Sequence, residues 1–260
     1  MKVLSAFEAS FERWRKHPRK WDLLYVMGVP LGRMRNWWRA EKNRRSLLVP
    51  PIDTSRVEIL VDANFRRSVE EVRKYTMLDV ARLANLWYLA KLAGQGVFLE
   101  VGTYRGGGAL HICNAIKDRG DPFYCFDPFE KGGFQTLGQE DAVFGKNDFM
   151  DTSYQAVSNL LAGMPNARVI QGFFPGAAKQ IGIRNIAFCH LDVDVYEATR
   201  ASLEYLAERL APRSLIVLDD INRDIRGVDN AVSDFLKTHR SFLFLPMFPS
   251  QGLLLSKSLW

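Results

Sequence analysis

From residue 97 onward, short apolar runs alternate with stretches in which apolar residues recur every three or four positions. The runs at 97–101, 122–126, 168–171, 186–191 and 214–218 read as strands. Between them, 108–118, 153–162, 196–210 and 227–239 read as helices. Such alternation predicts a parallel sheet covered by helices on both faces. The rhythm changes at the end of the chain. Ser241-Phe242-Leu243-Phe244-Leu245 and Gly252-Leu253-Leu254-Leu255 leave no room for a helix, so they should pair as an antiparallel hairpin. The expected body is α/β, with seven strands of which the last pair is antiparallel. Upstream, Ser68-Val69-Glu70-Glu71 offers an N-cap followed by first-turn acids, and a second apolar helix spans 77–92.

Charge divides the chain in a way that hydropathy does not. Of the 260 residues, the first 46 hold 12 Lys/Arg against 4 Asp/Glu, so the front end carries +8 and the remaining residues sum to −2 of the +6 net charge. There Phe7, Phe11 and Trp14 recur at helical spacing, and Trp37-Trp38 sit among Arg33, Arg35, Arg39, Lys42, Arg44 and Arg45. Three readings stand for this helical extension: a peripheral contact with an acidic membrane surface, nucleic-acid binding, or an arm that packs on the body or on a second subunit of a homo-oligomer. Gly28, Pro30 and Gly32 interrupt any single amphipathic helix, which favours the packed arm. Val49-Pro50-Pro51 reads as a connector, giving an extension over 1–50, a helical cap over 51–95 and a ligand-binding domain over 96–260. Cys113, Cys125 and Cys189 lie far apart in apolar runs, fitting reduced core residues of a cytoplasmic protein rather than a disulfide or zinc framework. The longest uncharged run, Ser241 to Ser256, is shorter than the ~20 residues of a membrane span and carries two prolines. Glu8 and Glu12 break the early apolar residues, so no signal peptide is expected.

The chemistry concentrates where strands should end. Val97-Phe98-Leu99-Glu100-Val101-Gly102-Thr103-Tyr104-Arg105-Gly106-Gly107-Gly108 is a strand, a glycine turn and the start of a helix. That arrangement lets backbone approach a nucleotide-like ligand at a helix N-terminus. Asp127 is spaced to end the next strand, where a carboxylate accepts both ribose hydroxyls. Two acidic groups follow: His190-Leu191-Asp192-Val193-Asp194-Val195-Tyr196-Glu197, and Leu218-Asp219-Asp220. Carboxylates converging outside the ends of parallel strands repel unless a cation sits among them, and oxygen-only ligation selects a hard ion such as Mg²⁺.

Further runs carry a resemblance: Tyr75-Thr76-Met77, Arg82-Leu83-Ala84-Asn85-Leu86, Asp127-Pro128-Phe129-Glu130, Asp148-Phe149-Met150-Asp151-Thr152-Ser153, Gly172-Phe173-Phe174-Pro175, Leu191 to Thr199, and Asp219-Asp220 followed by Ala231-Val232-Ser233-Asp234-Phe235. Over roughly 70–240 the chain resembles the class I S-adenosylmethionine-dependent O-methyltransferases of the macrocin (TylF/MycF-like) family. The resemblance implies a Rossmann-like sheet, S-adenosylmethionine with Mg²⁺ or Mn²⁺, and a hydroxyl acceptor on a sugar or glycosylated natural product. It implies that Thr76, Met77, Glu100, Gly102, Tyr104, Arg105, Gly106, Asp127, Phe129, Gly172, Phe173 and Asp192 line the cofactor. It also implies that Asp192, Asp219 and Asp220 hold the metal. Asp194, two residues beyond Asp192, shares its face if the backbone stays extended, and is the preferred general base ahead of Asp192 or His190. Tyr75-Thr76 would close over the site, and Asp151 reads as a helix cap rather than pocket wall. The chain departs from the family at Pro212-Arg213-Ser214, where a Pro-Gly-Gly turn is usual. It departs again at Ile221, which stands for an aromatic residue and suggests an altered acceptor pocket.

Two other enzyme classes share parts of this pattern. A nicotinamide oxidoreductase would use the glycine turn and Asp127 but gives no reason for Asp219-Asp220, and no Tyr-x-x-x-Lys pair is present. A nucleic-acid methyltransferase would use the basic arm, but an Asn-Pro-Pro-Tyr-like motif is missing. A non-catalytic binding module leaves the metal acids unexplained.

Overall fold

The structure, a computed structural model, describes residues 62–222 and 226–257. The readings placed on 1–61, including the basic extension, lie outside these residues.

Two helices precede the sheet, α1 over Ala63–Val72 and α2 over Val80–Leu92. The α1 helix begins earlier than its sequence suggests, because Asp62 is the residue that caps it, accepting the Asn64 N–H at 2.8 Å. Ser68 lies inside the helix instead of at its start, with its hydroxyl 2.8 Å from His111 Nδ1. Likewise Asp79 accepts the Arg82 N–H at 2.9 Å and starts α2 three residues later than the apolar pattern does.

The sheet follows with β1 (Val97–Val101), α3 (Gly107–Ile116), β2 (Phe123–Asp127), α4 (Tyr154–Leu160), β3 (Ala167–Gln171) and α5 (Gly176–Gln180). It continues with β4 (Ile186–Leu191), α6 (Tyr196–Ala207), β5 (Leu210–Leu218), α7 (Arg226–Thr238), β6 (Phe242–Met247) and β7 (Gln251–Ser256). The strands form one seven-stranded sheet in the order β3-β2-β1-β4-β5-β7-β6. The first five are parallel, and β7 pairs antiparallel with both β5 and β6. All seven expected strands are present. β5 is longer than expected, because it runs through Pro212 and through Arg213, whose φ is +56°.

Alternate strand residues feed two apolar cores. Phe98, Phe123, Phe188 and Val217 pack beneath α1, α2 and α3. Leu99, Val101, Phe126, Leu191 and Leu218 pack against α6 and α7 on the other face. Ile221, expected to reshape the acceptor pocket, is 3 % exposed and belongs to this second core. All three cysteines are buried and free.

Strand order places the site. The chain winds outward one way from β1 through β2 to β3, and the other way from β4 to β5. Between β1 and β4 lies the switch point, where the helices diverge and a crevice opens at the carboxyl ends. Val101 pairs with Leu191 there. Gly102 and Asp192 are therefore the first residues past the sheet on either side of that crevice.

Candidate active site

The cofactor side is built by close approach of backbone. Gly102 has a φ of +87°, and a Cβ on it would lie 1.7 Å from the Asp192 carbonyl oxygen. A side chain there would push the β1 and β4 ends apart. Gly108 meets a similar limit from the Glu100 carboxylate, 2.1 Å from where its Cβ would stand. Glu100 is 2 % exposed, and its Oε2 has no hydrogen-bond partner among the described residues. Burial raises its pKa, and His190 beside it offsets only part of that rise. Asp127 ends β2 as expected, accepting the N–H groups of Tyr104 at 2.8 Å and Phe129 at 2.6 Å. Burial pushes its pKa up to about 6 against those two bonds. Each Asp127 oxygen keeps a lone pair beyond its backbone bond, so the carboxylate is held in place and still able to accept hydroxyls.

The other expected cofactor residues gather around this turn with differing roles. Phe129 is fully buried at a φ of +53°, so its ring packs in the core and only its N–H serves Asp127. Gly172 donates its N–H to the Asp127 carbonyl at 2.9 Å, and Phe173 follows it. Gly107 donates to the Tyr75 carbonyl at 3.2 Å, which seats the Tyr75–Thr76 segment on the start of α3. Met77 beyond it is exposed. Arg105 and the Tyr104 hydroxyl both bond Asp151, the hydroxyl at 2.8 Å. Asp151 thus ties the glycine turn to the following segment. Ser153 is the residue that caps α4, accepting the Ala156 N–H at 3.1 Å.

The acids meet one strand over, but the expected metal trio is not brought together as one set. Asp192, Asp194 and Asp220 place one oxygen each within 4.8 Å of the others. Asp219 groups instead with Asp192 and His190. The backbone is not extended at Asp194, because β4 has ended. Asp194 is the middle of a three-residue turn, with φ +63° and the Val195 N–H 2.7 Å from the Val193 carbonyl. That turn, rather than strand alternation, aims Asp194 at Asp192. Asp220 is also left-handed, at φ +59°. Burial, then Asp219 and Asp220, push the Asp192 pKa well above the carboxylate range. Burial, then Asp192 and Asp220, do the same to Asp194.

Behind this cluster runs a buried polar row across four neighbouring strands. His190 is 1 % exposed, with Nδ1 3.1 Å from Glu100 Oε1 and Nε2 3.4 Å from Asp219 Oδ2. Burial alone would lower its pKa; the Asp219 and Glu100 carboxylates outweigh burial and hold it at about 10. Both ring nitrogens are occupied. Asp219 also accepts Arg82 Nη1 at 2.9 Å, Gln251 Nε2 at 3.2 Å and the Asp220 N–H at 2.8 Å. Burial would raise the Asp219 carboxyl, but His190 and Arg82 hold it below the usual range.

Comparison with known proteins agrees with this geometry. The family described as a methyltransferase domain matches residues 99–221, the stretch from inside β1 to just past Asp220. The 8-demethyl-8-(2,3-dimethoxy-alpha-L-rhamnosyl)-tetracenomycin-C 4'-O-methyltransferase of Streptomyces olivaceus is 25% identical over 179 residues, covering 62% of this chain and 67% of that protein. Among solved structures, the O-methyltransferase NovP superposes with a TM-score of 0.61 at 17% identity, covering 69% of this chain and 81% of that one. The calicheamicin methyltransferase CalS11 gives 0.53 at 18% identity, covering 82% and 90%. Residues 99–221 therefore match a methyltransferase domain, and the sheet has the fold of these methyltransferases.

Three polar residues of the site are given no role by sequence reasoning, although two of them lie in the Arg82–Leu86 run. Arg82 and Asn85 lie one turn apart on the largely apolar α2, and that spacing is their signal. Gln251, fully buried, accepts Asn85 Nδ2 at 2.9 Å and donates to Asp219; nothing in its strand announces it. A fourth, Asp141, is fully buried in the segment between β2 and α4. It accepts the Gly138 N–H at 3.0 Å and the Tyr196 N–H at 3.0 Å, anchoring that segment on the start of α6. The same segment brings Phe134, Phe144 and Phe149 together, with the Phe149 ring 5.7 Å from that of Tyr104.

Proposed function

We propose that the methyltransferase transfers the S-adenosylmethionine methyl group to a hydroxyl of a sugar or glycosylated natural product, with a divalent cation at the acid cluster. The observation that carries this reading is the carboxylate cluster of Asp192, Asp194 and Asp220 at the switch point, where the Asp192 backbone abuts Gly102. The rhamnosyl 4'-O-methyltransferase relative supports the acceptor class.

The residues present fit both groups. Asp127 offers lone pairs to a ribose beyond its two backbone bonds. An all-oxygen donor set whose atoms lie within 4.8 Å of one another suits a hard cation. Asp192 and Asp220 belong both to the expected trio and to the observed cluster, and would hold the ion. A divalent ion there would stabilise negative charge developing on the acceptor oxygen. Asp194 takes the hydroxyl proton: it is half-buried and stands within 4.8 Å of the Asp192 and Asp220 oxygens. His190 takes no part in that step, since each of its nitrogens faces a carboxylate. Arg105, Tyr104 and Asp151 hold the cofactor turn against the Phe134–Phe144–Phe149 segment, which walls the acceptor side.

Calorimetry with S-adenosylmethionine and with NAD tests the cofactor: binding of the first alone is expected, and binding of NAD alone would return the chain to the oxidoreductase class. Turnover of a deoxysugar-bearing acceptor should vanish with EDTA and return with Mg²⁺ or Mn²⁺. Full turnover in excess EDTA would remove the cation from the mechanism.

A further inference from the structure

We propose that the mouth of the candidate site docks on a lipid surface, so that the acceptor hydroxyl is presented from the headgroup of a glycolipid. The acceptor rests on the methyl-transfer reading above, whereas the docking surface stands on observations of its own.

Among the described residues, the four large apolar side chains most open to solvent are Phe248, Met77, Val143 and Val80, between 53 % and 69 % exposed. All four stand at the carboxyl end of the sheet, on three separate stretches of chain around the acids. Met77 and Val80 stand at the start of α2, where Arg82 donates to the Met77 carbonyl and reaches Asp219. Phe248 sits in the β6–β7 turn. Its carbonyl accepts Asn85 Nδ2, which also bonds Gln251, a donor to Asp219. Val143 lies two residues past Asp141, whose carboxylate holds the Tyr196 N–H just beyond Asp194. The next most exposed, Leu92 and Ile181 at 50 % and 46 %, lie at the opposite end of the sheet, ahead of β1 and β4.

A sugar alone gives no reason for such a rim. Exposed apolar side chains gathered around one opening mark an interaction surface. A small ligand has roughly 70–90 % of its surface enclosed by its pocket, which side chains more than half exposed on three stretches of chain do not do. They suit a broad apolar phase into which each inserts separately. Charge agrees with this. Arg73 and Lys74 lead into Tyr75 and Met77, and Lys146 follows Val143. Arg226 opens α7 beside Gly227, which abuts Asp141. All four cations are exposed. Asp79 beside Val80 and Asp148 beyond Lys146 are exposed as well, so apolar insertion carries the contact and anionic headgroups add to it. The first 46 residues carry +8, which draws the whole molecule towards the same surface.

Sedimentation of the full chain with vesicles of equimolar phosphatidylcholine and phosphatidylglycerol tests the surface. Wild type should bind them, and bind phosphatidylcholine alone more weakly. Val80→Ser combined with Phe248→Ser should weaken binding by about tenfold or more, from the apolar area no longer inserted. Leu92→Ser, at the far end, should bind as wild type does, and circular dichroism on each variant checks the fold. A long-chain alkyl deoxyglycoside held in those vesicles should be methylated with a higher kcat/KM than its soluble methyl glycoside. The double variant should narrow that gap, chiefly through KM for the embedded form. Wild type that binds neither vesicle overturns the docking surface. A dimer lost in the double variant would then give the rim to a second copy, and a preference for the long-chain glycoside free in solution would give it to a soluble apolar group. Vesicle binding that the double variant leaves unchanged also overturns the rim's part. Vesicle binding that depends on the rim, with neither glycoside methylated, upholds the docking surface and overturns the acceptor reading.

Discussion

At the scale of single residues, the site depends on carboxylates kept where an unfolded chain would not keep them. Asp127 has a folded pKa of about 6 against an ordinary 3.8, so it binds a proton more tightly when folded. Ligand-free stability should fall as pH rises from about 4 to 6, and S-adenosylmethionine affinity should rise from pH 5 to 7 as the carboxylate ionises. Asp127→Asn should bind the cofactor about ten- to a hundredfold more weakly, losing ~1.5–3 kcal/mol of charged hydrogen bonding, and show no such pH dependence. Calorimetry across that range checks both. Asp194 pairs a left-handed φ with two acidic neighbours. Asparagine tolerates that backbone conformation and carries no charge, so Asp194→Asn should raise the cation-free melting midpoint by ~2–4 °C per kcal/mol of relieved repulsion. Turnover should drop in the same variant. A lower midpoint would mean that the carboxylate is needed for folding rather than for catalysis.

At the scale of elements, polar residues decide how helices meet. His111 on α3 is fully buried, giving Nε2 to the Leu83 carbonyl of α2 at 3.0 Å and taking the Ser68 hydroxyl of α1 at Nδ1. Burial pushes its pKa down to about 4. A histidine held neutral when folded contributes stability above its ordinary pKa of 6.5, and that stability is lost as pH falls towards 4. The loss is about 3 kcal/mol across that window. His111→Gln should show a shallower decline between pH 6.5 and 4 in denaturant titrations. Asp141 plays the corresponding part for the segment ahead of α4. Asp141→Ala strands two N–H groups, and should cost about 1–3 kcal/mol and raise hydrogen exchange over 138–150 more than elsewhere. Uniform exchange along the chain would show that the segment does not hang on this carboxylate.

At the scale of the whole molecule, chelation should stop turnover while S-adenosylmethionine binding persists, because Asp127 and the acid cluster stand at the ends of different strands, β2 and β4–β5. The sheet and both acid groups were legible in the sequence because each follows from local rules. Apolar runs long enough to be buried must pair, glycines must sit where backbone comes close, and paired acids at strand ends need a reason. Strand boundaries came out within a few residues on the same grounds. What the sequence could not decide was how carboxylates of one kind divide their work. Asp192, Asp194, Asp219 and Asp220 are the same side chain in one dimension. They differ only by what α2 and β7 bring against them, Arg82 from 137 positions before Asp219 and Gln251 from 32 after it. Nor could local pattern place Ser68 inside its helix or His190 between two acids, since the partners that hold them come from other elements. Hydrophobic period is written along the chain and survives without neighbours. The charge state and orientation of a buried polar group exist only once its partners have arrived.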